Sequence, residues 1–141
     1  MSPVVPRSAT ALIGRILISA IFILSAITKF ADPAGTAGYM GSAGIPAAGV
    51  LVYVAAVAEL AGGLSLLFGF LTRIGALGLI ILVAIISFTF HAFWTMPAAE
   101  AAQQQVHFLK NMAIIGGLFM VVAMGPGRYS IDAGLRRSRS V

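Results

Sequence analysis

A single carboxylate, Glu59, lies near the centre of an apolar run that extends from Val50 to Leu71. A helix of this length can cross the roughly 30 Å hydrocarbon core of a bilayer. A charge at that depth is expensive, so we expect Glu59 to face protein or water, where it could act as a proton or ligand site. The neighbours one turn away on either side are all small, which would let a partner helix or a ligand approach closely: Ala55, Ala56, Gly62 and Gly63.

Arg15 is the cation that we predict to accompany Glu59. It lies about two turns, roughly 9 Å, inside the first apolar run, and its long side chain can extend further. An ion pair between Arg15 and Glu59 would offset the desolvation of both charges and fix the register of the first two spans. The same pair could instead be a proton or ligand site that a ligand opens.

A second set of polar residues lies near the opposite ends of three predicted helices. Its members are Lys29, His91, His107, Lys110 and Asn111. We expect them to converge on an outer pocket for a small anionic or carbonyl-bearing ligand, such as a quinone head group, with neutral histidine relaying protons. The alternative is that each is an interfacial side chain that reaches for water.

The residue types restrict the chemistry further. The chain has no cysteine, which excludes disulfides and thiolate-held metal centres, so an electron carrier would be bound non-covalently or belong to a partner. A haem held by His91 and His107 is conceivable, but nothing in their surroundings fixes one, and no metal site is predicted. No set of residues is placed as a hydrolase would need, so no catalytic residue is assigned.

The composition places all these residues in a membrane. Of the 141 residues, 60% are hydrophobic and only 9% are charged, against about 25% charged in soluble domains. The net charge of +5 does not indicate nucleic-acid binding, because the basic residues are not interleaved with aromatic ones. They adjoin the apolar runs and the tail, where anionic lipid and membrane orientation explain them.

The apolar runs predict an all-α, antiparallel bundle of four transmembrane helices at about 9–30, 50–71, 74–93 and 107–124. On the first helix one face, directed into the bundle, carries Arg15, Ser19, Phe22, Ala26 and Lys29. We predict one domain over 1–135 and a basic, poorly ordered tail over 136–141.

Two segments are predicted to be loops. Residues 31–46 are rich in glycine and proline, which favours a surface loop or, alternatively, a lid over the pocket. Residues 96–106 form the second predicted loop, whereas Thr72 and Arg73 form a very tight turn between the second and third spans. Most arginines then lie on one side of the membrane, which predicts that both termini are cytoplasmic.

The chain also resembles a known family. The segments GRILISAIFILSAITKF, GYMGSAGIP, AELAGGLSLLFGFLTRIGALGL, FHAFW, QQQVHFLKNMAIIGGL and GPGRYSIDA are similar, in this order, to the DoxX family of small bacterial membrane proteins. The resemblance implies a four-helix unit in the inner membrane. Relatives include a membrane subunit of a thiosulfate:quinone oxidoreductase, a scaffold for a superoxide dismutase and a sulfurtransferase, and proteins linked to quinone or catechol stress. The matching polar positions are Arg15, Lys29, Glu59, Arg73, His91, His107, Lys110 and Asn111.

Two functions follow as hypotheses. In the first, the protein is a membrane-embedded accessory subunit in redox metabolism that binds quinone or a small sulfur compound and works within a quinone-linked complex rather than alone. Its partner would be a peripheral redox enzyme or a second copy of the chain. In the second, it is not an enzyme but a small-solute carrier gated by Glu59, or a scaffold that holds peripheral redox enzymes through its basic tail.

Overall fold

The computed structural model describes residues 7–138, and within this range it is built from helices and short connections, with no strand. Six α-helices and one short 3₁₀ helix follow one another along the chain. They are α1 (Arg7–Ala31), α2 (Pro33–Ser42), α3 (Ala48–Phe68), α4 (Thr72–Phe90), the 3₁₀ helix (Phe93–Thr95), α5 (Ala98–Met124) and α6 (Ile131–Ser138).

Four of the helices are long and apolar enough to cross a membrane: α1, α3, α4 with the 3₁₀ turn that follows it, and α5. This confirms the predicted all-α bundle of four spans. The fourth helix begins at Ala98, well before the predicted position 107, so Gln103–Gln105 are helical and not part of a loop. The run of alanine and glutamine after Pro97 consists of good helix formers that a hydropathy criterion does not register.

Residues 31–46 were predicted to form a loop, but they contain helix α2. Asp32 caps this helix, because its side chain accepts a hydrogen bond of 2.9 Å from the backbone N–H of Gly35, and Pro33 occupies the first turn. These start signals outweigh the glycines within the helix. The irregular part is limited to a short connection in which Gly44 and Ala47 have positive φ angles of 80° and 52°.

Glycines set the distances between the spans. A Cβ atom added at Gly63 would lie 2.9 Å from Ile23 of α1, and one added at Gly62 would lie 2.5 Å from the side chain of Leu79 on α4. Helix α3 therefore approaches both neighbours closely in the turn that follows Glu59. The face of α1 predicted to point inward does so, since Arg15, Ser19, Phe22 and Ala26 are buried.

The polypeptide reverses direction tightly between α3 and α4, as predicted. Gly69 and Leu71 are both left-handed, and Thr72 already begins α4. Asp132 of α6 caps α4 by accepting hydrogen bonds from the backbone N–H groups of Leu71 and Thr72 at 2.9 and 3.0 Å. Helix α6 extends through Ser138, past the predicted onset of disorder at Leu135, and residues 139–141 of the predicted tail lie outside the described range.

Candidate ligand site

Glu59 is paired with Lys29, not with Arg15. The Lys29 ammonium donates to both carboxylate oxygens of Glu59 at 3.0 and 2.9 Å, and to the Ser25 hydroxyl at 2.7 Å. Glu59 is 3% exposed, so the ion pair lies in the interior between α1 and α3. The structure thereby corrects the partner predicted for Glu59. Lys29 comes from the far end of α1 and extends back along the helix to the carboxylate.

Arg15 lies nearer the C-terminal end of α3 than this pair does. Its guanidinium donates to the backbone carbonyl of Leu66 at 3.2 Å and to that of Tyr129. Residues 59 to 66 span about 10 Å along α3 at 1.5 Å per residue, too far for Arg15 to serve both positions. Arg15 therefore ties α1 to the end of α3 and to the connection before α6.

A cavity of about 220 Å³ adjoins the ion pair and is lined by residues of α1, α3, α4 and α5, together with His91 at the end of α4. Four of the five residues predicted for the outer pocket line it together with Glu59; these are Lys29, His91, Lys110 and Asn111. Hydrophobic side chains such as Phe22, Val83 and Ile114 form the rest of the wall. The structure thus brings together residues from three spans that are far apart in sequence.

His107, the fifth predicted residue, lies behind the lining. Its ring stacks on that of His91 with centroids 5.2 Å apart, and its Nδ1 is 3.4 Å from the Lys110 ammonium. His91 Nδ1 is 2.7 Å from Gln104 Oε1, which orients the ring. If this amide oxygen accepts from Nδ1–H, Nε2 is left as the acceptor atom of His91.

Gln104 was missed by the sequence analysis, because residues 96–106 were predicted to be a loop. The signal available in the sequence was spacing. Gln104, His107 and Lys110 follow one another at intervals of three, which places them on one face once α5 is known to begin at Ala98.

Asn111 is a buried link between α4 and α5, and not an interfacial residue. It is 7% exposed, and its amide donates to the Ser87 hydroxyl at 3.0 Å. The Ser87 hydroxyl donates in turn to the carbonyl of Val83 at 2.6 Å. This chain of hydrogen bonds fixes the wall of the cavity opposite the Lys29–Glu59 pair.

An apolar cavity of about 340 Å³ adjoins the polar one beneath α2. The two cavities share Lys29, Ile86 and His91 as lining residues. Tyr39 of α2 covers the apolar cavity and stacks on Phe90 of α4 with ring centroids 5.5 Å apart. The pair of cavities therefore offers charged and hydrogen-bonding groups at one end and a hydrocarbon surface at the other.

The lining has the chemistry of a site for an anion or a carbonyl oxygen. Two ammonium groups, Lys29 and Lys110, and a single carboxylate, Glu59, line the cavity; Glu59 pairs with Lys29, so the positive charge of the exposed Lys110 is left over. Within residues 7–138, no group of three or more histidine, aspartate or glutamate side chains is arranged to hold a metal ion.

The fold and this site define a multi-pass α-helical membrane protein with a polar cavity inside the bundle. The chain belongs to the DoxX family, since the DoxX family model matches residues 10–92, more than half of its length. This match includes Arg15, Lys29, Glu59 and His91 and ends before α5.

Relatives match over most of the chain. The Escherichia coli inner membrane protein YqjF is 37% identical over 126 residues, which cover 89% of this chain and 92% of that protein. The E. coli inner membrane protein YphA is 30% identical over 126 residues, covering 89% and 90%. A Surfeit locus protein 4 homolog from Drosophila melanogaster is 35% identical over 66 residues, only 45% of this chain and 24% of that one. No solved structure gives a significant match. The protein is accordingly a multi-pass protein of the bacterial inner membrane.

Proposed function

We propose that this protein is an accessory subunit of membrane redox metabolism that binds the head group of a quinone in the polar cavity. The observation that carries this proposal is the junction of a polar cavity and an apolar one at Lys29, Ile86 and His91. A quinone has carbonyl oxygens that accept hydrogen bonds and a hydrocarbon tail, so one molecule matches both cavities. A small sulfur oxyanion would match only the charged half.

The side chains have distinct parts in this proposal. Lys110 would donate a hydrogen bond to a carbonyl oxygen, and this bond strengthens when that oxygen gains negative charge on reduction. Lys29 would hold Glu59 at the cavity wall, because its three N–H donors are taken by Glu59 and Ser25. The stacked imidazoles of His91 and His107 would carry a proton between the cavity and the end of the bundle. Because the chain has no cysteine, a thiolate-held redox centre would be supplied by a partner enzyme.

The test is direct binding to the purified, detergent-solubilised protein. Small molecules extracted from the protein would first be identified by mass spectrometry. A short-tailed ubiquinone would then be titrated, with the fluorescence of Trp94, the only tryptophan, as the signal. We expect saturable quenching, with a dissociation constant that rises about tenfold in Lys110→Met, which removes a charged hydrogen-bond donor.

The matched control is Arg128→Gln, which removes a positive charge at the opposite end of the bundle and should leave the titration unchanged. Linear, unsaturable quenching would contradict the proposal, as would identical dissociation constants for the wild type and Lys110→Met.

A second candidate function rests on the ion pair itself. Lys29 and Glu59 both line the polar cavity, and their side chains are only 17% and 4% exposed. In a small-solute carrier, protonation of Glu59 would release Lys29 and open a path past the pair. Solute uptake into proteoliposomes would then depend on pH in the wild type and lose that dependence in Glu59→Gln.

A further inference from the structure

Four arginines surround a pocket of about 340 Å³ at the end of the bundle that carries α6, which we term the α6 end. They belong to three segments: Arg73 opens α4, Arg128 lies in the connection after α5, and Arg136 and Arg137 lie on α6. The other lining residues are uncharged, so no carboxylate faces into this arginine pocket.

Arg73 is held in place by the end of α5. Its Nε donates to the carbonyl of Val122 at 2.9 Å, and a terminal nitrogen donates to that of Ala123 at 3.5 Å. A guanidinium has five N–H donors, so three are left for a further acceptor. Asp132 interacts electrostatically with Arg136, but its carboxylate is bound to Leu71 and Thr72 and offsets only part of the charge.

The arginine pocket continues into a groove of about 730 Å³ between α1 and α5. Met124, Gly125 and Gly127 line both. Arg7, Ser8, Thr10 and the buried Arg15 contribute polar groups to the groove, and the rest of its wall is apolar, including Ala11, Gly14, Ile18, Met120 and Val121. A cationic pocket at the end of a span is thus joined to a hydrocarbon channel along it.

We infer that the arginine pocket and the groove together bind one anionic phospholipid. The phosphodiester head group would lie among the arginines, whose planar forks match phosphate oxygens, and an acyl chain would lie between α1 and α5. A free phosphate ion shares the head-group chemistry but would leave the groove unused, so the groove favours the lipid. The site is at the opposite end from the candidate ligand site and does not depend on the proposed function.

The test uses the full-length, delipidated protein in non-ionic detergent, with native mass spectrometry to measure lipid binding. Phosphatidylglycerol and phosphatidylcholine with identical chains are the two probes. We expect the wild type to prefer phosphatidylglycerol, and Arg128→Gln to weaken that binding about fivefold, the contribution of one basic residue near a lipid head group. Lys110→Gln removes one charge at the other end and is expected to leave it unchanged. Circular dichroism would verify that the variants retain their helices.

A second variant distinguishes lipid from free phosphate. A Cβ atom at Gly14 would meet no atom within 4 Å, so Gly14→Leu fills the groove without a clash at the first side-chain carbon. It should weaken phosphatidylglycerol binding and leave the binding of inorganic pyrophosphate unchanged. The inference is overturned if Lys110→Gln and Arg128→Gln have equal effects, which would indicate overall charge alone. It is also overturned if pyrophosphate competes fully and Gly14→Leu has no effect, which would indicate an anion site without a lipid.

Discussion

At the scale of single residues, the Lys29–Glu59 pair illustrates why charge in a membrane interior needs a close partner. Both side chains are largely buried, and each supplies the counter-charge that the other requires. Ser25 takes a third donor position of the ammonium and so further fixes its direction. Each partner therefore reduces the cost of burying the other.

A double-mutant cycle measures this coupling. Lys29→Met leaves the carboxylate of Glu59 buried without a cation, and we expect it to lower the free energy of unfolding by about 3 kcal/mol. Glu59→Gln should cost less, because Lys29 retains Ser25 and is the more exposed partner. The double variant Lys29→Met/Glu59→Gln should be more stable than Lys29→Met alone. Unfolding in detergent micelles provides the measurement, and strictly additive effects would show that the pair is not coupled.

Asp132 makes a prediction about pH. Partial burial raises the pKa of Asp132, but hydrogen bonds from the backbone and hydroxyl of Thr72 and from the backbone of Leu71 lower it, and the net pKa lies below the ordinary 3.8. Because folding lowers this pKa, the ionised carboxylate stabilises the folded protein. This stabilisation is complete above about pH 4 and is lost as the pH falls through the lowered pKa. We expect Asp132→Asn to cost about 1–2 kcal/mol at pH 7. The difference in unfolding temperature from wild type should narrow toward pH 3; a constant difference would contradict this explanation.

At the scale of elements, the α3–α4 turn depends on Gly69, where both the backbone conformation and the lack of space exclude a side chain. Gly69 has a φ angle of +68°, and an added Cβ would lie 2.1 Å from a terminal nitrogen of Arg15 and 2.4 Å from Cβ of Ser130. This glycine thus lets α1, the α3–α4 turn and the segment before α6 meet at one point.

Gly69→Ala should therefore destabilise the protein by more than about 2 kcal/mol, through backbone strain and displacement of Arg15. Gly78→Ala is the matched control, since Gly78 lies within α4 and an added Cβ there would meet no atom within 4 Å. This control should gain about 0.5–1 kcal/mol, because alanine is the better helix former. Chemical unfolding of both variants in the same detergent tests the contrast, and equal effects would rule out the steric explanation.

Hydropathy and periodicity predicted the four spans and the buried face of α1. They did not predict contacts that depend on how one helix is placed along another. Apolar length alone identified the spans, and a spacing of three and four residues identified the buried face of α1. The predicted partner of Glu59 was wrong, because the position of a residue along its own helix does not specify which basic side chain reaches the carboxylate. Helix α2 was missed because its glycines were weighed above the Asp32 cap and Pro33. Gln104 was missed with the start of α5.

At the scale of the whole molecule, the two ends of the bundle have different chemistry. The α6 end is tied together by Arg15, Arg73 and Asp132, which bind backbone groups at helix ends and connections. The other end contains the two cavities and is covered by α2. Polar contacts to the backbone thus fix the α6 end, whereas the end covered by α2 has space inside the bundle.

The orientation of these ends in the membrane is the last prediction. The four predicted spans put seven of the nine basic residues in or near the segments on the side of the two termini: Arg7, Arg15, Arg73, Arg128, Arg136, Arg137 and Arg139. In the described residues, this is the α6 end. Since short loops rich in lysine and arginine stay inside, we expect the α6 end to be cytoplasmic and the cavities to lie toward the periplasm.

The absence of cysteine makes this testable, because each introduced thiol is unique. A membrane-impermeant maleimide should label Ser42→Cys in intact spheroplasts, whereas Leu135→Cys should react only after the membrane is permeabilised. The opposite pattern would contradict the predicted orientation and would place the two cavities toward the cytoplasm.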